Sequence, residues 1–219
     1  MFSGPKAVAI DSSGWVYVLD GPDLLRFGAD KGLEKKWART ETGLIEPADL
    51  AIDEGGKLFI VDETRGTVTR FDPETEIFTK LDITRGKELA RPTGIAIADG
   101  LLYIADSGND RIQVLDGTGK WIRQWEVRAW AKYMFHYPDV AVDPARNRAY
   151  VTSGGTREVI VFDTNGKFLR KLGLPPGTES NNPSAIAISK ANDRLYLLGY
   201  GSAHVDNGDP GVVAINLAE

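Results

Sequence analysis

The 219-residue chain contains no cysteine, two methionines and two histidines. Without cysteine there is no disulfide, iron–sulfur cluster, thiolate zinc site or cysteine nucleophile. His136 and His204 fall short of the usual catalytic zinc set, and even with Asp206 they supply three ligands at most, so no metal is expected. No apolar run approaches the roughly 18 residues of a membrane span, which predicts no membrane insertion. Residues 1–5 show neither the basic region nor the apolar stretch of a signal peptide. The compartment stays open, because an excised extracellular domain would read the same way. Positive charge is also scarce: 26 Lys and Arg against 31 Asp and Glu leave a net charge of −5, with no basic cluster. Nucleic-acid binding draws on phosphate neutralisation by a basic surface, so that function is not expected. No nucleophile elbow, Walker loop, dinucleotide fingerprint or His-Glu-x-x-His is present, and neither catalytic residues nor a cofactor are expected.

What the chain does have is a repeat. Five segments align: AVAIDSSGWVYVLD from Ala7, DLAIDEGGKLFIVD from Asp49, GIAIADGLLYIAD from Gly94, DVAVDPARNRAYVTS from Asp139 and AIAISKANDRLYLLG from Ala185. Their central alanines, Ala9, Ala51, Ala96, Ala141 and Ala187, are spaced by 42, 45, 45 and 46 residues. The aromatics Tyr17, Phe59, Tyr103, Tyr150 and Tyr196 are spaced by 42, 44, 47 and 46. Two independent registers thus give one period, which marks a repeat architecture. Each unit reads as four β-strands, a to d, with Gly, Asn and Asp turns that suit hairpins. Strand c covers 24–27, 68–71, 112–115, 159–162 and 212–215; strand d covers 33–37, 77–81, 121–125 and 168–172. A turn or two within 126–135 is the only helical signal. Four antiparallel strands per unit of about 45 residues describe a propeller blade. The small residue on strand a suits an inner strand that converges on the axis, so all five alanines are expected to be buried.

The wording of the third unit carries a resemblance. Pro92-Thr93-Gly94-Ile95-Ala96-Ile97, followed by Leu102-Tyr103-Ile104-Ala105-Asp106-Ser107-Gly108-Asn109-Asp110-Arg111-Ile112-Gln113-Val114-Leu115-Asp116, resembles the NHL repeat. The resemblance implies one all-β propeller domain over 1–219, with repeats near 5–46, 47–91, 92–137, 138–182 and 183–219. The last repeat stops after strand c, so the ring closes with five blades or belongs to a six-bladed ring. An open strand edge invites association. Either residues 1–3 lie along that edge, or another chain or further parent-chain strands cover it. NHL propellers serve as RNA readers, protein-interaction modules, sensor domains and lyases, so the family alone assigns no task.

Strand order puts the b–c and d–a connections on one face of the disc. They are the longer ones, at 38–46, 82–91, 126–137, 173–182 and 200–210, and loops that outrun a turn are where function gathers. A protein or small ligand docking there, without catalysis, is the leading expectation. Its candidate contacts are Trp130, Tyr133, Phe135, His136, Tyr137 and His204, since aromatic anchors dominate interfaces; the competing reading has the aromatics capping the core. The alternative is a metal-dependent lactonase- or lyase-like enzyme using Asp20, Asp62, Asp106 and His204, or Asp206 in the longest loop. Asp20, Asp62 and Asp106 share one position after strand b, where units four and five have Ser153 and Gly199. Turn capping explains that position better than a carboxylate ring does.

Overall fold

A computed structural model describes the chain except residues 1, 29, 31, 131–136, 154–155, 175–181, 190–192, 201–211 and 218–219; for 182 and 200 the backbone alone is described. Blade 1 comprises β1 (Pro5–Ile10), β2 (Val16–Asp20), β3 (Asp23–Phe27) and β4 (Leu33–Trp37). A single helical turn, α1 (Arg39–Thr42), leads into blade 2: β5 (Pro47–Ile52), β6 (Leu58–Asp62), β7 (Thr67–Asp72) and β8 (Ile77–Lys80). Blade 3 is β9 (Pro92–Ala98), β10 (Leu101–Asp106), β11 (Arg111–Asp116) and β12 (Trp121–Glu126). Blade 4 is β13 (Val140–Asp143), β14 (Arg148–Ser153), β15 (Glu158–Phe162) and β16 (Phe168–Gly173). Blade 5 is β17 (Asn182–Ser189), β18 (Arg194–Tyr200) and β19 (Val212–Asn216). Each sheet is an antiparallel meander, four of them four-stranded and the last three-stranded, and together they form a propeller of five blades. The helical turn falls in the connection between blades 1 and 2, where it was not expected. Gly43 ends it at φ 66°, and the Glu41 carboxylate accepts the Ala38 N–H at 2.8 Å.

Register explains the repeat. Cross-strand partners share a face, and one face of each blade begins with alanine and then an aromatic, with a long polar residue farther out in blades 1 to 4. Ala9 pairs with Tyr17, Arg26 and Lys35 in turn, and Ala51 with Phe59, Arg70 and Thr79. The opposite face is aliphatic, and successive blades stack one kind of face on the other. Tyr17, Leu19, Leu24 and Trp37 of blade 1 thus pack on Leu50, Leu58, Ile60 and Phe71 of blade 2. Three further clusters repeat the arrangement between blades 2 and 3, 3 and 4, and 4 and 5. The core is therefore four slabs between blades, not one central mass.

Two expectations need correction. Of the five alanines only Ala141 is buried; Ala9, Ala51 and Ala96 are half-buried and Ala187 is exposed. They do sit on the inner strands, where Ala9, Ala51 and Ala96 pack only in part against the cores between blades, and Ala187 is exposed on blade 5. Residues 2–4 do not lie along β19. The backbone N–H groups of Ser3 and Gly4 donate to Asp20, and the Phe2 ring sits 5.7 Å from that of Phe27, both in blade 1. Inner-strand contacts run β1 to β5, β9, β13 and β17, with no comparable contact from β17 back to β1 among the described residues.

Candidate functional site

The two faces of the disc are built differently. On one, the a–b and c–d turns are short and closed by aspartates. Asp53 N–H donates to the Lys57 carbonyl at 2.9 Å while its carboxylate accepts the Lys57 N–H, and Asp116 and Asp163 do the same with Lys120 and Lys167. An aspartate that folds its side chain onto the backbone two to four residues on is ordinary turn chemistry. The other face carries the longer b–c and d–a connections and the N-terminal ends of the inner strands.

Asp20, Asp62 and Asp106 stand on this second face at equivalent places in blades 1 to 3, all buried. Each is turned into its own loop. Asp20 accepts the N–H groups of Ser3 and Gly4, which hold its carboxyl below the usual carboxylate range. Asp62 accepts those of Ile45, Glu46 and Arg65 at 2.7, 3.2 and 2.9 Å. Asp106 accepts the Ala90 N–H, the Asn109 amide and the Arg111 guanidinium at 2.6 Å. The three carboxylates therefore tie the segment entering strand a to the end of strand b.

Trp130 is enclosed in the slab between blades 3 and 4, and its indole N–H donates to the Thr152 carbonyl at 3.0 Å. Tyr137, seven residues on, is 54% exposed on the loop face. Tyr133, Phe135, His136, His204 and Asp206 lie outside the described residues. Among the described residues, no three His, Cys, Asp or Glu side chains are grouped to hold a metal ion. No described helix is long and apolar enough to cross a membrane.

The structure adds a feature at the N-terminal ends of the inner strands that the sequence reading missed. Asp49 on β5 and Asp139, just before β13, belong to blades 2 and 4 yet come within hydrogen-bonding reach of each other. Between them is Gly94 of blade 3, where a Cβ would lie 2.4 Å from Asp139 Oδ1. Only glycine leaves room for the two acids to meet. Asp49 accepts the N–H groups of Leu50 and Ile95 at 2.8 Å; Asp139 accepts those of Val140 and Ile186 at 2.7 and 2.9 Å. Each acid thereby links its own inner strand to the next blade. Two adjacent carboxylates cannot both ionise cheaply in a place with little water. Burial, the larger effect, pushes Asp49 up to about 7, and burial with the facing Asp49 charge pushes Asp139 well up. Both shifts favour a protonated member of the pair over two facing charges. The signal was present in the aligned repeats, where this inner position reads Ala7, Asp49, Gly94, Asp139, Ala185.

Five blades with one repeated face pattern set the frame for comparison with known proteins. The profile of the NHL repeat matches residues 89–115. The mouse NHL repeat-containing protein 3 is 34% identical over 88 residues, which are 36% of this chain and 25% of that protein. This chain is a five-bladed β-propeller with an NHL repeat in its third blade. The chain thus matches about a quarter of its curated relative. Among solved structures, this propeller is similar to the virginiamycin B lyase of Staphylococcus aureus (TM-score 0.69, 15% identity, 99% of this chain and 71% of that one). It is also similar to a gluconolactonase of Xanthomonas campestris (0.70, 20% identity, 96% and 71%) and to a chain of a nidogen–laminin complex (0.72, 19%, 98% and 76%). At these identities the likeness concerns the fold.

Proposed function

We propose that this propeller is a binding module that docks a protein or other ligand on the face carrying the b–c and d–a loops. The observation that supports it most is how the acids of that face are used. Asp20, Asp62 and Asp106 spend their oxygens on backbone N–H groups or neighbouring side chains. Carboxylates occupied in this way stiffen the loops of that face, which suits a preorganised docking surface. Tyr137 supplies an exposed aromatic there. A photo-crosslinking residue at position 137 should capture a partner that the same residue at Asn165, on the opposite face, does not. Equal capture from both positions would remove the assignment of the face.

A second reading rests on the acid pair. A carboxyl near 7 can give or take a proton at physiological pH, and two of the similar folds are a lyase and a gluconolactonase. Hydrolysis of a sugar lactone that is lost on Asp49→Asn would favour this reading over docking.

A further inference from the structure

The repeat places the same three aromatics at two interfaces, and the two sets pack differently. Trp37 of blade 1 with Phe71 and Phe78 of blade 2 are matched, position for position, by Trp125 of blade 3 with Phe162 and Phe168 of blade 4. The first set is closed. Its ring centroids are 4.8 Å apart from Trp37 to Phe71 and 4.2 Å from Phe71 to Phe78, and Phe78 is half-buried. The second set is spread to 5.9 and 6.2 Å, and Phe168 is 54% exposed. A cleft of about 720 Å³ opens there between β12 and the β15–β16 pair, lined by all three rings, a volume within the range of small-molecule sites. One wall is fixed by the neighbouring turn: a Cβ on Gly166 would lie 2.6 Å from the Trp125 ring, so the backbone itself rests on the indole. Trp125 is only 9% exposed, and its indole N–H meets no acceptor among the described residues. The lining runs from Thr156, in a b–c loop, to Gly166, in a c–d turn of the opposite face, so the cleft crosses the rim of the disc. Neither Tyr137 nor the acid pair belongs to it.

We propose that this rim cleft is a second binding site, separate from the loop face, and that it takes a small aromatic carboxylate. The rings call for the aromatic body. Spread apart, they forgo contacts that the equivalent set of blades 1 and 2 makes, and a flat apolar group set among them restores those contacts. The polar groups call for the carboxylate, because most of them are donors. The indole N–H has no partner, and Arg128 and Lys171 line the cleft against a single acid, Glu126. Each cation has an acid beside it, Glu126 at 3.5 Å from Arg128 and Glu158 at 2.8 Å from Lys171. Both cations are exposed, and exposed pairs of this kind are weak. An incoming carboxylate can therefore share them at little cost. An ammonium ligand, the other class that aromatic walls attract, would face two like charges and leave the indole N–H unanswered.

Calorimetric titration of the 219-residue chain with 2-naphthoate and with 2-naphthylmethylammonium tests both halves of the assignment. Naphthoate should bind once per chain with a dissociation constant of about 1 mM or tighter. The ammonium compound, of nearly the same shape and opposite charge, should bind about tenfold more weakly. Phe168→Ala, at an exposed position where circular dichroism should stay unchanged, should weaken naphthoate by about tenfold. Lys171→Gln should weaken it by roughly threefold and narrow the gap between the two probes. Lys80→Gln, the equivalent lysine of blade 2, should leave both affinities as they are. No naphthoate binding at about 5 mM, or binding indifferent to Phe168→Ala, would overturn the cleft as a site. Equal or tighter binding of the ammonium compound would overturn the carboxylate.

Discussion

The acid pair makes stability depend on pH in an unusual direction. Acids paired with cations or backbone donors are depressed in the folded state, and folding weakens as they protonate. Here Asp49 is raised from the ordinary value of 3.8 to about 7. A group raised on folding contributes its stability below the unfolded value, and that contribution is lost as pH rises through the folded value. Stability should therefore fall from about pH 4 to just above pH 7, the interval between the unfolded and folded values. Three units at 1.36 kcal/mol each set an upper bound of about 4 kcal/mol, a sizeable part of the 5–15 kcal/mol of an ordinary domain. Asp49 is only half-buried, and the solvent it keeps screens the effect, so a loss of about 2 kcal/mol is the working figure. In a domain of this length that lowers the melting temperature by roughly 4–8 °C. Asp139→Asn separates the pair from other titrations. Its amide can donate to an ionised Asp49 without a second charge, but it can no longer accept both the Val140 and Ile186 N–H groups. The variant should be less stable than the parent at pH 5 and close to it at pH 8.5, with a flattened slope. Urea titrations at the two pH values decide it. A parent whose stability rises with pH across this window, or an Asp139→Asn slope equal to the parent's, would refute a protonated member of the pair.

Three substitutions probe the supporting geometry. Gly94→Ala places a Cβ 2.8 Å from the Asp139 backbone Cα, and should destabilise by about 1–3 kcal/mol in urea titration. Asp62→Ala leaves the Ile45, Glu46 and Arg65 N–H groups without their acceptor, and should cost about 2–4 kcal/mol with faster amide exchange at 45 and 46. Gly166→Ala, at φ +92° with a Cβ 2.6 Å from the Trp125 ring, should lower stability by about 1–3 kcal/mol and alter the near-ultraviolet dichroism.

The blades were legible because each solves the same packing problem with the same residues. Ala51, Phe59 and Arg70 form one row across a sheet, so their spacing had to recur wherever a blade recurs. The loop face was legible too, since strand order fixes it. Three things were not. Trp130 looked like a surface aromatic among others, and only the slab between blades 3 and 4 shows it enclosed. The acids of blades 2 and 4 lie 90 residues apart and meet only because blade 3 has no side chain between them. Val8, Ile10 and Leu198 are exposed at positions that are covered or half-covered in other blades, and periodicity within a blade says nothing about what lies beside it.

The glycine between the two acids also limits how this domain could be rearranged. Blades that share one template look interchangeable, as though they could be duplicated, shuffled or swapped at will. A copy of blade 2 or blade 4 in the third place would drive a carboxylate side chain into the position Asp139 already occupies. Blade 3 in the second or fourth place would remove an acid and, with it, the bond to the next inner strand. The order of the second, third and fourth repeats is therefore set. A recombination that keeps those three together can succeed where one that separates them fails, and blades 2 to 4 form a heritable unit inside an outwardly modular protein.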